Sequence, residues 1–269
     1  MTTMKPARES PHFAAKPIAS QQKQAYNLSA PQANSGARNR AMSRTGLLKQ
    51  VPLFVGLTDA ELDTLAKDFA QRQFKPGETI FQQGDPGQVL YLIEMGQVRI
   101  FVAGEEGQET SVILYGPREI FGELAVIDGL PRSAGAVAMD NTVVYMLTRD
   151  RFREHMRRFP QLALNFLKAL SVRVRYSTQQ VGSLALLDVP GRLARKLLEF
   201  AENYGVAGPE GVRINLSLTQ SDLASLTGTT RESINKALGA FKRQNLIIIH
   251  SQGSITIVDP DGLRELISL

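Results

Sequence analysis

Two short strings carry the side chains best suited to chemistry. The first is Gly122-Glu123-Leu124-Ala125 followed by Pro131-Arg132-Ser133-Ala134, which sets an acid and a base around a turn lined by glycine and alanine. A tight Gly-Glu-Leu-Ala turn presents backbone N–H groups to an anion, and a guanidinium fork bonds a phosphate through parallel donors. Glu123 would repel that phosphate, so in such a site it must do something else, such as accept hydrogen bonds from a sugar hydroxyl. Charge alone favours a plainer alternative, a surface Glu–Arg ion pair on a β turn.

The second string runs from Leu218 to Asn245. Thr219 and Asp222 make a T-x-x-D box, so a helix is predicted from Gln220 to Leu226, with Gly228 as the turn. Thr229 with Glu232 reads as a second capping box, for a helix over Arg231 to Arg243. Ala224, Gly228 and Ile234 have the small, glycine and apolar spacing that lets two such helices cross closely. Arg231, Glu232 and Ser233, with Lys236 one turn on, share an N-terminal face suited to base edges in the major groove. With Thr219 and Gln220 they are the candidate DNA contacts.

Other chemistry finds little support. Cysteine is absent, which excludes disulfides, thiolate metal ligands and iron–sulfur clusters. His12, His155 and His250 are scattered, so neither a metal site nor a catalytic triad reads out, and an enzyme is not expected. With no apolar run of membrane-spanning length and no signal peptide, the expectation is a cytoplasmic protein.

The elements that position the two strings follow from texture. Ten of the chain's 22 glycines fall between Gly77 and Gly135 and separate short β-rich runs, among them TIF, VLYLIE, QVRIFV, TSVILY and, further on, TVVYML. Such spacing predicts an antiparallel sandwich or barrel. After Pro160 a long helix is predicted, reaching about Leu187. Ala163, Leu167, Leu170, Val174, Ser177, Val181 and Leu184 follow alternate steps of four and three along it, a coiled-coil seam. The seam predicts a dimer; the alternative is a helix packed on its own β domain. Asp188 to Gly191 reads as a hinge, and strands over Leu246–His250 and Ser254–Val258 read as a β wing.

The net charge of +5 is no guide to nucleic acid, because residues 1–44 hold seven basic groups against Glu9 alone. That segment, low in large apolar residues, reads as a disordered extension; it either adds nonspecific phosphate affinity or has no specific role.

The first string resembles the phosphate-binding cassette of cyclic-nucleotide-binding domains, and the second resembles the recognition region of the catabolite activator and fumarate–nitrate regulator (Crp/Fnr) superfamily. Together the resemblance covers about residues 47–260. It implies an α+β fold: a β-roll (a cyclic-nucleotide-binding jelly roll) over 45–159, a dimerisation helix and hinge over 160–188, and a winged helix-turn-helix over 189–269. It further implies that Glu123 holds a ribose 2′-hydroxyl, and that Arg132 and Ser133, with turn amides of Gly122, Leu124, Ala125 and Ala134, hold a cyclic phosphate. Ser177 and Thr178 match a hydroxyl pair that reaches the purine from the long helix, in swapped order; Ser177 alternatively only fixes seam register. Arg231, Glu232 and Lys236 match three base-reading positions, the third usually Arg. The expected ligand is cAMP, with cGMP, cyclic di-GMP or no nucleotide as alternatives, and no metal. The expected partners are a second copy, palindromic promoter DNA and RNA polymerase. A kinase regulatory subunit shares the cassette but would lack the helix-turn-helix.

Overall fold

The computed structural model describes residues 43–104, 109–216, 218–250 and 253–267; the basic extension up to residue 42 lies outside them. The described chain begins with α1 (Arg44–Leu48) and α2 (Asp59–Asp68). Thr58 and Glu61 close a reciprocal capping box at the start of α2.

Eight strands follow: β1 (Ala70–Phe74), β2 (Thr79–Phe81), β3 (Val89–Met95), β4 (Val98–Ala103), β5 (Glu109–Tyr115), β6 (Ile120–Phe121), β7 (Gly135–Ala138) and β8 (Thr142–Thr148). They form two antiparallel four-stranded sheets, ordered β1-β8-β3-β6 and β2-β7-β4-β5. Phe74, Tyr91, Ile93, Val98, Phe121, Ala136, Ala138 and Val144 make a core cluster drawn from strands of both sheets. β3 is apolar on both faces rather than alternating. Its second set of side chains, Leu90 and Leu92, joins Leu47, Leu65, Phe152, Leu162 and Phe166 in another core. A strand covered on both faces loses the period-2 signal, as a continuous apolar run does in any doubly covered sheet.

Between β6 and β7 lies the short helix α3 (Glu123–Asp128). After β8 come α4 (Arg149–Arg158) and the 27-residue α5 (Pro160–Leu186). α6 (Val189–Tyr204) starts almost at once. The Asp188 side chain accepts a hydrogen bond from Gly191 N at 2.8 Å, and Pro190 occupies the first turn. The break is thus only Leu187 and Asp188. Pro190 and Gly191, expected in the hinge, lie inside α6 because the Asp188 cap draws them into its first turn.

The C-terminal part adds β9 (Gly205–Gly208), β10 (Gly211–Ile214), α7 (Gln220–Thr227), α8 (Arg231–Arg243), β11 (Ile247–Ile249), β12 (Ile255–Ile257) and α9 (Pro260–Glu265). Its four strands form a sheet ordered β11-β12-β10-β9. The wing is therefore broader than the two strands read from sequence, which missed the glycine-rich β9–β10 hairpin. The core packs Leu193, Leu197, Phe200, Leu223, Ile234, Leu238 and Phe241 together, and Leu114 of β5 joins it. α7 rests on β5, so the two halves of the chain share packed surface. No helix among the described residues is long and apolar enough to cross a membrane.

Candidate nucleotide pocket and DNA-reading face

Gly122 sits in the left-handed region (φ 74°) and caps α3. A Cβ there would lie 2.7 Å from a terminal nitrogen of Arg132, so both the backbone turn and the close approach of the guanidinium require glycine. Glu123 is then the first residue of α3, and the amides of the first turn have no intrahelical acceptor. Ala125 is buried, whereas Leu124 is 45% exposed. Ser133 is exposed and Ala134 half-buried.

Arg132 is only 5% exposed. Its terminal nitrogens donate to Gly122 O at 2.5 Å and Val89 O at 2.6 Å, and its guanidinium lies 4.2 Å from the centre of the Phe81 ring. Its Nε is buried with no partner. Burial pulls the pKa of this guanidinium down, against the opposing pull of Tyr91, Glu123 and Asp85.

Glu123 is 4% exposed. Its partner is not Arg132 but Arg173 of α5, which donates to Glu123 Oε1 and to Ile120 O. The plain alternative of a surface Glu–Arg pair therefore fails: Glu123 and Arg132 are buried, Arg173 is half-buried, and the pair joins α3 to the long helix. Burial alone would lower the pKa of Arg173; the Tyr115 and Glu123 side chains outweigh it and raise it, so the charge is fixed.

Arg173 was missed in the sequence reading. A signal existed, since it lies one helical turn before Ser177 and so shares a face with it. Glu123, Arg173 and Ser177 together border a cavity of about 590 Å³ between the β-roll, α5 and α6. Arg132, Ser133 and Thr178 do not border it. The Thr178 hydroxyl donates to Val174 O at 3.0 Å, a bond within its own helix. The structure thus brings Glu123 and Ser177 to one space and leaves Thr178 on an exposed face.

At the DNA-reading face, Thr219 and Asp222 form the expected reciprocal box. The cap of α8 differs from expectation. Thr229 N donates to Ala224 O, closing the end of α7, so the cap falls one residue later at Thr230, which accepts from Ser233 N. Glu232 is freed from capping, and Ser233 is taken up by it: its hydroxyl lies 3.0 Å from that of Thr230. Gly228 (φ 62°) makes the turn, where a Cβ would meet Leu184 of α5 at 2.9 Å. Arg231, Glu232 and Lys236 are exposed. Arg231 Nε lies 3.4 Å from Gln220 Oε1, and Lys236 pairs with Glu232 at 2.9 Å with both side chains 77% exposed. Asn235, also exposed, lies one turn beyond Arg231 on the same face and was not singled out from sequence.

Residues 71–159 match the cyclic nucleotide-binding domain family, and residues 191–266 match the Crp-like helix-turn-helix domain family. A CRP-like cAMP-activated global transcriptional regulator from Mycobacterium tuberculosis is 31% identical over 217 residues, covering 81% of this chain and 96% of that protein. The chain belongs to the Crp/Fnr family of transcription regulators. The cyclic AMP receptor protein of Thermus thermophilus is 32% identical over 219 residues, covering 81% of this chain and 98% of that protein. A solved CRP/FNR-family transcriptional regulator from Thermus thermophilus aligns with a TM-score of 0.62 at 28% identity, over 74% of this chain and 98% of its own. This regulator thus pairs a nucleotide-binding β domain with a DNA-binding helix-turn-helix, and it is not an enzyme.

Proposed function

We propose that this regulator is a cytoplasmic, dimeric, cAMP-responsive transcription factor that binds palindromic promoter DNA. The observation that carries the ligand assignment is the buried Glu123–Arg173 pair beside the cavity that Ser177 also borders. An acid held inward by a cation from the dimer helix suits a ribose hydroxyl. The buried, unpartnered Nε of Arg132 beside Ser133 suits a phosphate oxygen acceptor. Both relatives above carry cyclic AMP in their names, which favours adenine over guanine.

The dimer reading rests on the outer face of α5. Leu167, Val174, Val181 and Leu184 are 61%, 66%, 66% and 55% exposed, on the predicted seam. A stripe of large apolar side chains left open along one helix face is the mark of a helix partner. A different face, with Leu162, Asn165 and Phe166, packs on the β domain; of the seam, Leu170 joins that core, while Leu167, Val174 and Val181 stay open. In the dimer, two α8 helices set about 34 Å apart would meet successive major grooves. Arg231, Glu232 and Lys236 would read base edges, with Thr219 and Gln220 toward phosphates. The role of RNA polymerase as a partner follows from the family resemblance.

The deciding experiment is calorimetric titration of cAMP, cGMP and cyclic di-GMP into the full chain. Saturable heat with cAMP at the lowest concentration is expected. Silence with cAMP, alongside tight binding of cyclic di-GMP, would overturn the ligand assignment while leaving the DNA reading intact.

A further inference from the structure

The cavity bordered by Glu123, Arg173 and Ser177 is also bordered by Glu119, Tyr176, Glu199 and Tyr204, residues that neither ligand nor DNA recognition has used. These four, all half-buried, belong to two polar clusters, and each cluster crosses from one half of the chain to the other.

The first joins α5 to α6. Lys196 is 3% exposed, and its Nζ donates to the Tyr176 hydroxyl and to Glu199 Oε2, both at 2.8 Å. The Tyr176 hydroxyl donates in turn to Glu199 Oε1 at 2.9 Å, closing a triangle. The ammonium also lies 5.3 Å from the centre of the Tyr176 ring and 5.8 Å from that of Phe200.

The second joins the β5–β6 loop to the end of α6. Glu119 Oε2 accepts from Gly116 N at 2.7 Å and from the Tyr204 hydroxyl at 3.1 Å. Gly116 is required by contact, since a Cβ there would lie 2.8 Å from the Tyr204 ring. Arg173 stands between the clusters and the nucleotide side: it bonds Glu123 and lies 5.2 Å from the centre of the Tyr115 ring.

A buried lysine tied to one carboxylate and one hydroxyl is a poor device for stability, because well-packed apolar residues of similar volume serve as well or better. What it supplies is geometric selectivity. The α5–α6 break is only Leu187 and Asp188, so a change of domain pose must turn α6 about that point. Lys196 lies eight residues from Asp188, about 12 Å along the helix, and a 20° turn there moves it about 4 Å. Tyr204, at twice that distance, moves about 8 Å. Neither set of hydrogen bonds survives such a shift.

We propose that Tyr176–Lys196–Glu199, with Glu119–Tyr204, is the clasp through which the ligand state at the Glu123–Arg173 pair sets the pose of the DNA-binding domain. These are positioning residues, not ligand contacts. The proposal rests on the reading that Glu123, held by Arg173 at the edge of the cavity, takes part in binding a cyclic nucleotide, so its test has one arm that needs no ligand.

In that arm, hydrogen exchange is measured on the full chain and on Lys196→Met, with Tyr176→Phe as the variant that removes a single hydroxyl. Exchange of the α6 amides should rise at least about tenfold, a loss equivalent to about 1.4 kcal/mol of local protection, while β3 and β8 stay unchanged. Unchanged α6 exchange in both variants overturns the clasp. In the second arm, affinity for a duplex selected on the wild-type protein is measured with and without saturating cAMP. The ratio of the two affinities should collapse toward one in Lys196→Met and Tyr176→Phe and recover in Lys196→Arg. Equal loss of DNA affinity with and without cAMP would make the clusters merely structural and overturn the proposal. If wild type ignores cAMP, the nucleotide reading fails and the exchange arm alone decides the clasp.

Discussion

Replacing Arg173 by methionine keeps a long apolar side chain on α5 and removes the cation that holds Glu123. Glu123, at 4% exposure, would be left without its partner on the long helix, and Ile120 O would lose its donor. Taking one partner from a buried ion pair costs about 3–5 kcal/mol. The Arg173 side chain is 32% exposed, so water already screens the pair, and the expected loss falls to about 2 kcal/mol. For a chain of this size that lowers the thermal midpoint by about 4–8 °C, readable by calorimetry. The sharper readout is the sugar. A hydrogen bond to a charged carboxylate contributes about 1.5–3 kcal/mol, so wild type should bind 2′-deoxy-cAMP about ten- to a hundredfold more weakly than cAMP. With Arg173 gone, Glu123 is no longer held in place, and the ratio should shrink below about threefold. A variant that keeps the full ratio refutes the positioning role of Arg173. A wild type that shows no ratio refutes the role of Glu123 itself.

Arg231→Ala should cost about 1–3 kcal/mol at one base pair per half-site, measured on duplexes varied position by position. A uniform loss across all duplexes would instead mark a phosphate contact. Val174→Glu with Val181→Glu puts charge on the open stripe of α5 and should convert the dimer to monomer in sedimentation; an unchanged mass would remove α5 as the interface. Glu119→Gln tests the pH response. Burial pushes the Glu119 carboxyl above its ordinary range, against the lowering pulls of Gly116 N–H, Tyr204 and Arg173. A raised folded pKa gives stability that is complete below about pH 4.3 and lost as pH rises through the folded value. Denaturant unfolding should therefore show the wild type losing stability relative to Glu119→Gln as pH climbs from that point toward neutrality. A difference that stays flat over this range would contradict it.

What the sequence displayed plainly were features set by neighbours a few residues away. The Thr219–Asp222 box, the Gly228 turn and the glycine-spaced strands each depend on one turn or one hairpin, and each stands where its spacing places it. The errors are of the same local kind but turn on competition. Thr229 and Thr230 are both hydroxyl residues able to cap α8, and what decides is that Thr229 N is already spent on Ala224 O. Likewise Pro190 and Gly191 signal a break by type, yet the Asp188 cap makes them a helix start. β9 and β10 escaped because Gly-Val-Ala-Gly and Gly-Val-Arg-Ile are too short and glycine-rich to show alternation, and the pairing of β10 with β12 and of β9 with β10 decides them.

α5 shows why the pocket itself was harder to read than the DNA-reading helix. Its outer face is an apolar stripe broken only at Ser177, and any periodic count finds it. Its inner face alternates Leu162 and Phe166 with Asn165, Arg173 and Tyr176, whose partners lie 112, 50 and 23 residues away at Leu53, Glu123 and Glu199. A polar residue on a half-buried helix face is indistinguishable by spacing from a solvated one, because its burial is paid for by a group elsewhere in the chain. Ser177 stood out because it interrupts an apolar pattern, whereas Arg173, in the run Val172-Arg173-Val174-Arg175, interrupts nothing. The functional weight of α5 is therefore divided: the face legible by period is the one proposed to meet a second subunit, and the face that binds Glu123 and holds Lys196 becomes visible only when the β-roll and α6 are folded against it.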